Sequence, residues 1–521
     1  MKYIFRDIGA VQKYGANLFL KNDSWPLSDV EFNKLTNTLF DEYYKIIENL
    51  EDTLYDICLV ELNFIGSLIQ ILQNNYVENY CIKNNIKIFK TIESNPFNEV
   101  GLRNLGSYYK NFNFPHGKSI RFLRKIVKNI LFNRHLFFSL KIYDIFRNGH
   151  VIGIGSNDRI KSDFVKNKNL FCDYFDWPEL FTNNDPQFDT QYNYNELIIN
   201  PFFKSIENLN HFFLDGIDFE LVKQSWNLRF MDVESFYHRV KYIKVKKKLL
   251  ITEVGNPLHK IIALRFQRDG HQVYCFHHGN NTGALVEKHS HQIIEGYCKN
   301  IVLPSTGIKE VYEKNYSQLF VDKKTNTKYF ALHNNYYGSL FLQLKRKKTR
   351  SCNNTIMLMG YGYPMGSHRF LDEPAMDFIF KISLELRLVR FLKNNGFRVI
   401  YKAHPEGAKA AFGVFESEVD KCIYSKFEDV LGEADVILFT YPSTTTFGYA
   451  LNSNKNLILI NMENNIWNAS AFKHIVSRVN IVPAGLDKQN RVVFNEDKLL
   501  KALRLNSNKI DTKFVEKIMW N

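Results

Sequence analysis

The sequence predicts an α/β fold with two parallel sheets, and three features carry that expectation. Leu249-Leu250-Ile251-Thr252 reads as a short apolar strand, a helical pattern runs from Pro257 to Arg268, and Gln272-Val273-Tyr274-Cys275-Phe276 reads as a second strand. Strand, helix and strand at this spacing form a βαβ unit, whose crossover leaves both strands parallel. The same alternation begins afresh at Thr355-Ile356-Met357-Leu358-Met359. Between the two series lies a basic run, Lys345-Arg346-Lys347-Lys348-Thr349-Arg350, which reads as a linker or surface segment. Two such units imply a two-domain protein with a cleft between them.

Length and composition agree. A chain of 521 residues has room for two or three domains, and 45% hydrophobic with 23% charged residues is the profile of a folded chain. Wholesale disorder, collagen-like repeats and a small disulfide scaffold are excluded. The charge is 68 basic minus 54 acidic, or +14. That excess suits nucleic acid, an anionic membrane surface or a phosphorylated substrate.

In chain order, residues 28–50 carry an apolar face at helical spacing (Val30, Leu35, Leu39, Tyr43, Ile46, Ile47, Leu50), and residues 56–75 continue it. Val151-Ile152-Gly153-Ile154 reads as a buried strand ending in Gly155-Ser156-Asn157-Asp158. Residues 160–240 are polar and aromatic and take no assignment. Ile301-Val302-Leu303 with a helix after Gly307 extends the first series. In the second series a helix spans 375–394, Phe397–Tyr401 is a strand, a helix lies near 426–433, Asp435–Phe439 is a strand, and Leu457–Ile460 is another. The expected division is 1–340 as a first domain with a helical elaboration and 351–490 as a second. A helical segment, 491–521, is expected to pack back on the first domain.

No signal-peptide core follows Met1, and no stretch approaches 18 uninterrupted apolar residues. The seven cysteines include no pair spaced by two residues, which speaks against a zinc ribbon. An odd, scattered set fits reduced thiols, so a cytoplasmic location is expected.

Open α/β sheets bind ligands at the carboxyl ends of their strands, so the residues after each strand are the candidates. In the second unit these are the loop Gly360-Tyr361-Gly362-Tyr363-Pro364-Met365-Gly366, then Lys402-Ala403-His404-Pro405-Glu406, then Thr440-Tyr441-Pro442-Ser443-Thr444-Thr445-Thr446. Four hydroxyl residues ahead of a short helix (446–452) make an anion site or, equally simply, a helix cap. Lys402 and His404, two apart on an extended strand, would share a side. His404 can donate to a phosphate oxygen or serve as an acid, although a lone strand-end histidine is often structural. In the first unit His277-His278-Gly279-Asn280-Asn281 follows a strand, and Glu253-Val254-Gly255 follows another. A cleft-facing histidine can be a general base; a polar turn is the plainer alternative. Glu287, His289, His291 and Glu295 lie close together, but no His-Glu-x-x-His string occurs and no metal is expected. Lys118, Arg121, Arg124, Lys125 and Lys128 alternate with Ile120, Phe122, Leu123, Ile126, Val127 and Ile130. This is a basic amphipathic pattern, suited to an anionic inner leaflet or to a solvated helix face.

The pair Lys402-Ala403-His404-Pro405 and Ser443-Thr444-Thr445 resembles the histidine-proline and serine/threonine motifs of bacterial sialyltransferases and Kdo transferases. These are inverting GT-B glycosyltransferases that use CMP-activated acidic sugars. The resemblance covers about 355–465, including Glu433–Asn461, and is weaker over 249–315; the first 240 residues resemble nothing nameable. It implies two Rossmann-like domains facing a central cleft, with 1–340 as the acceptor-side domain carrying the helical N-terminal elaboration and 351–490 as the nucleotide-sugar-binding domain. It also implies that His404, Ser443 and Thr444 bind the CMP phosphate, with Lys402, Pro405, Thr445, Gly360 and Gly362 beside them. The chain departs from the family in two places. Where such enzymes carry an acidic-acidic-glycine base motif this chain has His277-His278-Gly279, so the base is His278 or Glu253, with His277 and Asn280 on the acceptor side. Where a ribose-binding glutamate is common it has Phe447-Gly448-Tyr449-Ala450, which leaves CDP- and UDP-linked donors open.

The expected function is transfer of an acidic sugar from a CMP donor to a surface glycan or lipid-linked acceptor, with no cofactor or metal and with peripheral inner-membrane association. The rivals are CDP-linked polyol-phosphate transfer, UDP-sugar transfer on the same fold, and a non-enzymatic glycan- or nucleic-acid-binding protein. Nucleic acid is not an expected partner, because the basic residues are dispersed and no binding motif occurs.

Overall fold

The structure is a computed structural model that describes residues 2–91, 150–155, 159–181, 190–240, 248–252, 255–276, 283–332, 340, 354–363, 378–504 and 511–520. The basic run 345–350 and the amphipathic stretch 118–130 lie outside the described residues.

The strands in chain order are β1 (Tyr3–Phe5), β2 (Lys87–Phe89), β3 (His150–Ile154), β4 (Phe171–Tyr174), β5 (Lys248–Ile251), β6 (Val273–Phe276), β7 (Asn300–Leu303) and β8 (Lys328–Ala331). Then come β9 (Thr355–Met359), β10 (Arg398–Lys402), β11 (Lys421–Ile423), β12 (Val436–Phe439), β13 (Asn456–Met462), β14 (Asn480–Leu486) and β15 (Val492–Phe494). One six-stranded sheet has the order β4-β3-β5-β6-β7-β8 and is parallel throughout. A seven-stranded sheet has the order β11-β10-β9-β12-β13-β14-β15, with only the β14–β15 pair antiparallel. Its first six strands follow the Rossmann order, and the other sheet follows the related doubly wound order with a strand added. The expected α/β class with two Rossmann-like units is what the chain forms. All five residues of β9 are buried, as a strand covered on both faces requires.

Strand order reverses between β9 and β12 in one sheet and between β3 and β5 in the other. Those reversals open a crevice at the carboxyl ends of the strands, because the flanking connections leave in opposite directions.

The first helices form a layer that belongs to neither large sheet. Asp29–Ile47 starts at a capping box made by Ser28 and Glu31 and buries Phe32, Leu35, Leu39, Phe40, Tyr43 and Ile47. Val30, which the sequence places on the apolar face, is 73% exposed, because it sits in the first turn on the solvent side. The continuation is two helices, Asp52–Val60 and Leu62–Lys83, bent by 42° where Glu61 intervenes. No single helix among the described residues is long and apolar enough to cross a membrane. That bent pair passes by composition, but it is core: Ile57, Leu59, Phe64, Ile65 and Leu68 are buried.

The layer touches both units. Toward the first sheet, Glu61 accepts from Arg229 Nε at 2.9 Å and Nη2 at 2.8 Å, and Asp56 accepts from Arg268 at 2.8 and 3.0 Å. Arg229 lies in the helix Phe219–Arg239, whose Trp226 stacks on Phe64 with ring centroids 4.3 Å apart. Toward the second sheet, Asp23 accepts from Arg387 Nη2 and Ser383 Oγ, both at 2.6 Å, and Gln12 donates to the carbonyl of Ala410 at 2.8 Å. The C-terminal turn Val515–Met519 returns to the first unit, where Ser305 Oγ donates to the Ile518 carbonyl at 2.6 Å.

The Glu61–Arg229 pair is buried at both ends. Replacing Arg229 by Met should cost about 3–5 kcal/mol, because buried Glu61 then loses its hydrogen-bonded ion partner. Urea unfolding of the two proteins measures it, and a cost below about 1 kcal/mol, the range of an exposed pair, would deny the pair this role.

Candidate functional site

The carboxyl edge of the second sheet gathers the residues that the sequence singles out there. β9 pairs with β10 on one side and with β12 on the other. Gly360 is the first residue after β9, and its N–H donates to the Lys402 carbonyl at 2.9 Å. A Cβ at Gly360 would lie 2.5 Å from Tyr401 Cζ, so a rigid ring excludes any larger residue. Gly407 meets the same limit: its Cβ would lie 2.5 Å from the Tyr363 nitrogen. The loop after β10 therefore rests directly on Gly362 and Tyr363 of the loop after β9.

His404 is half-buried, and its carbonyl accepts from the Gly407 N–H at 3.0 Å across the turn that Pro405 begins. Lys402 is buried, and its Nζ donates to the Ala403 carbonyl at 2.7 Å. Burial lowers its pKa, partly offset by the Glu428 carboxylate. Strand alternation sets Lys402 on the opposite face from Tyr401. Thr444 caps the helix Thr445–Leu451: its Oγ1 accepts from the Phe447 N–H at 3.0 Å and lies 2.7 Å from Thr446 Oγ1. The capping role considered from sequence is thus filled by Thr444. Ser443 stays half-buried, and Thr445 is exposed.

The loops after β9 and β12, together with Tyr401 of β10, converge on a residue that the sequence does not single out. Glu385, in the helix Phe378–Asn394, is fully buried. Its Oε1 accepts from the Tyr361 N–H at 2.8 Å and from Thr440 Oγ1 at 3.2 Å. Its Oε2 accepts from Tyr363 Oη at 2.7 Å and from Tyr401 Oη at 2.8 Å. Burial pushes its pKa up to about 7, against these hydrogen bonds and the Lys381 charge, which favour ionisation. Lys381 Nζ sits 5.5 Å above the Tyr361 ring and 5.0 Å above the Tyr441 ring. The signal in the sequence is Lys381 and Glu385, four apart, inside an otherwise apolar helical face.

Tyr441 also reaches the other unit, donating to Glu287 Oε1 at 3.1 Å. Next to it the Val286 N–H donates to the Ile466 carbonyl and the Asn468 N–H to the Ala284 carbonyl, both at 2.8 Å. In the first unit β5 ends at Ile251 and β6 at Phe276. Glu253, His277, His278 and Asn280, which follow them, lie outside the described residues. The Glu287–Glu295 run is structural. His291 lies 2.9 Å from Asp322 and stacks on Tyr316; burial opposes its charge, but Asp322 and Glu295 outweigh it and push its pKa up to about 9. His289 stacks on Phe40 and bonds Asn37 at 2.9 Å, and burial lowers its pKa. Among the described residues no group of three or more His, Cys, Asp and Glu side chains could hold a metal.

No family model matches this chain, and no curated protein matches it. Among solved structures it is similar to the UDP-GlcNAc 2-epimerase of Methanocaldococcus jannaschii in complex with UDP-GlcNAc and UDP. The identity is 13% over 69% of this chain and 92% of that one, with a TM-score of 0.36. It is also similar to Os79 from O. sativa in complex with UDP and deoxynivalenol-3-glucoside, at 10% identity over 59% of this chain and 82% of that one, with a TM-score of 0.32.

Two predictions follow from the cluster. A carboxyl raised from 4.5 to about 7 contributes stability that is complete below its ordinary pKa and lost as the pH rises through its folded value. Between pH 5 and pH 8, roughly, wild-type stability should carry a falling component that Glu385→Gln removes, read by urea unfolding at each pH; an identical slope in both proteins would assign that titration elsewhere. Gly360→Ala should displace Tyr401 and lower the stability by about 1–3 kcal/mol, the range for overpacking. A wild-type unfolding midpoint would contradict the close approach.

Proposed function

We propose that the chain is a GT-B glycosyltransferase that moves an acidic sugar, a sialic-acid-like nonulosonate or Kdo, from a CMP donor to a surface glycan or lipid-linked acceptor. One observation supports this most. The loops after β9, β10 and β12, which carry the histidine-proline and Ser/Thr residues, meet at the strand-order reversal of a Rossmann-order sheet. A nucleotide diester or sugar phosphate is the ligand class such a crevice suits.

In this reading His404 donates to the leaving phosphate, and the Ser443 and Thr445 hydroxyls stabilise it, while Thr444 shapes the loop as a cap. Lys402 adds positive potential rather than a contact, because its ammonium is engaged by a backbone carbonyl. Gly360 and Gly362 let the loops close on one another. As CMP leaves, charge grows on the phosphate oxygens, and donors already in place there lower the barrier without reorganising. The acceptor hydroxyl loses its proton to a base in the first unit, His278 after β6 or Glu253 after β5; β5 borders that sheet's own order reversal. His277 and Asn280 would line the acceptor side. The scheme needs no metal. The six described cysteines carry no disulfide, which accords with a reducing compartment. A place on the inner leaflet would follow from the basic stretch 118–130.

Thermal shifts with CMP, CDP, UDP and GDP test the donor: CMP should stabilise selectively, and stabilisation by UDP alone would move the assignment to UDP-sugars. His404→Ala should lower kcat by about a hundred- to a thousand-fold, the usual loss for one oxyanion donor. Turnover near that of wild type in this variant would remove His404 from the mechanism. A phosphodiester in the product would mark CDP-linked polyol-phosphate transfer instead.

A further inference from the structure

We propose that Glu385 is the positioning residue of the donor crevice: its single carboxylate sets the spacing between His404 and the Ser443–Thr445 loop. The proposal rests on the donor-site reading above and adds a residue that touches no ligand.

The geometry divides the work between two oxygens. Oε1 joins the Tyr361 N–H, just after β9, to Thr440, just after β12, so it bridges the two sides of the order reversal. Oε2 joins Tyr363, from the loop after β9, to Tyr401 of β10. Thr440 stands three residues before Ser443, and Tyr401 stands three residues before His404. Each proposed phosphate contact is thus one short segment away from a hydrogen bond to the same group. A carboxylate has about four acceptor sites, and all four donors use them. A glutamine would offer one oxygen and turn an N–H₂ toward donors, so part of the set would have to let go. Lys381, one helical turn earlier, supports the ionised form and lies against Tyr361 and Tyr441, which flank the same crevice. A buried carboxylate is costly to desolvate, and nothing in the packing of an apolar helix face calls for one. Its contacts, to the segments after β9 and β12 and to Tyr401 within β10, are what offset that cost.

The test uses the full chain and the nucleotide that wild type binds among CMP, CDP, UDP and GDP, with Kd measured by calorimetry. Glu385→Gln should raise that Kd by about tenfold or more, as loss of hydrogen bonds to a charged group implies, while near-UV circular dichroism stays native. In turnover, the donor KM should rise while the acceptor KM holds; a general loss of folded protein would leave both unchanged and lower only the apparent kcat. Tyr401→Phe and Thr440→Val should each weaken binding, and the double variant should weaken it by less than the product of the two, because both act through one carboxylate. This cycle decides the matter if Glu385→Gln does not fold. An unchanged Kd in folded Glu385→Gln, or independent effects in the cycle, overturns the positioning role alone. A wild type that binds none of the four nucleotides overturns the donor-site reading and this inference with it.

Discussion

The placement of the two sheets depends on charge buried in the N-terminal helices. Among the described residues, direct contact between the units includes two backbone hydrogen bonds between 284–286 and 466–468, Asn468 Nδ2 donating to Asn315 Oδ1 at 2.6 Å, Tyr441 on Glu287, and the C-terminal turn on Ser305. The helical layer adds a second attachment to each unit, through Glu61 and Asp56 on one side and Asp23 and Gln12 on the other. Asp56 and Asp23 are buried carboxylates, each held by a partly exposed arginine. Glu61 and Arg229 are both buried, so each is stable only while the other is in place. Apolar contacts reinforce both attachments, with Trp226 stacked on Phe64 and Trp25 edge-on to Phe380. Rotating one unit against the other would strip the layer from at least one of them, so the relative placement of the units is tied to this layer.

The same logic changes the meaning of the net charge. Among the described residues Arg229, Lys161, Lys260, Lys381, Lys402 and Arg478 are buried. Arg478 donates to the carbonyls of Leu451, Ser453 and Lys455, closing the end of the helix that follows the hydroxyl loop. Lys161 donates to the Ile154 carbonyl at 3.0 Å, and to Thr252 Oγ1 at 3.3 Å, at the order reversal of the first sheet. Part of the basic excess therefore holds strand-end backbone in place, and the +14 total is no measure of an exposed cationic surface.

Much of the fold was legible because its strands are short apolar runs bounded by glycine and polar turns. β5, β6, β7, β9, β10, β12 and β13 were each marked in that way, and Pro257–Arg268 matches residue for residue. The edge strands β4, β8, β11 and β15 were not, since edges carry mixed polarity, and neither was β14 beside the edge, whose residues are some buried and some half-buried. The helix Phe219–Arg239 was missed although Val222, Trp226, Phe230, Val233 and Tyr237 keep helical spacing, because aromatic residues suit strands equally well. At the candidate site the strand-end rule singles out His404 and Ser443–Thr445, but not Glu385. Its importance comes from three segments distant in sequence that donate to it, and a single sequence carries no trace of that convergence. Gly360 shows the reverse case: it reads as part of a nucleotide loop, yet the need for glycine comes from the Tyr401 ring.

Tyr441 is where the two levels of organisation meet. It follows Thr440, a Glu385 donor, and precedes the hydroxyl residues by two positions. Its ring packs edge-on against Tyr361 and beneath Lys381, and its hydroxyl donates to Glu287 in the other unit. The Glu287 N–H in turn donates to Tyr316, whose ring stacks on the His291 that Asp322 and Glu295 hold. Contacts therefore run without a gap from the buried carboxylate behind the crevice to a buried ion cluster in the first unit. The loop that carries Ser443–Thr445 is anchored at one end by its own sheet and at Tyr441 by the facing unit. The candidate donor site and a direct contact between the two units consequently share the same short segment.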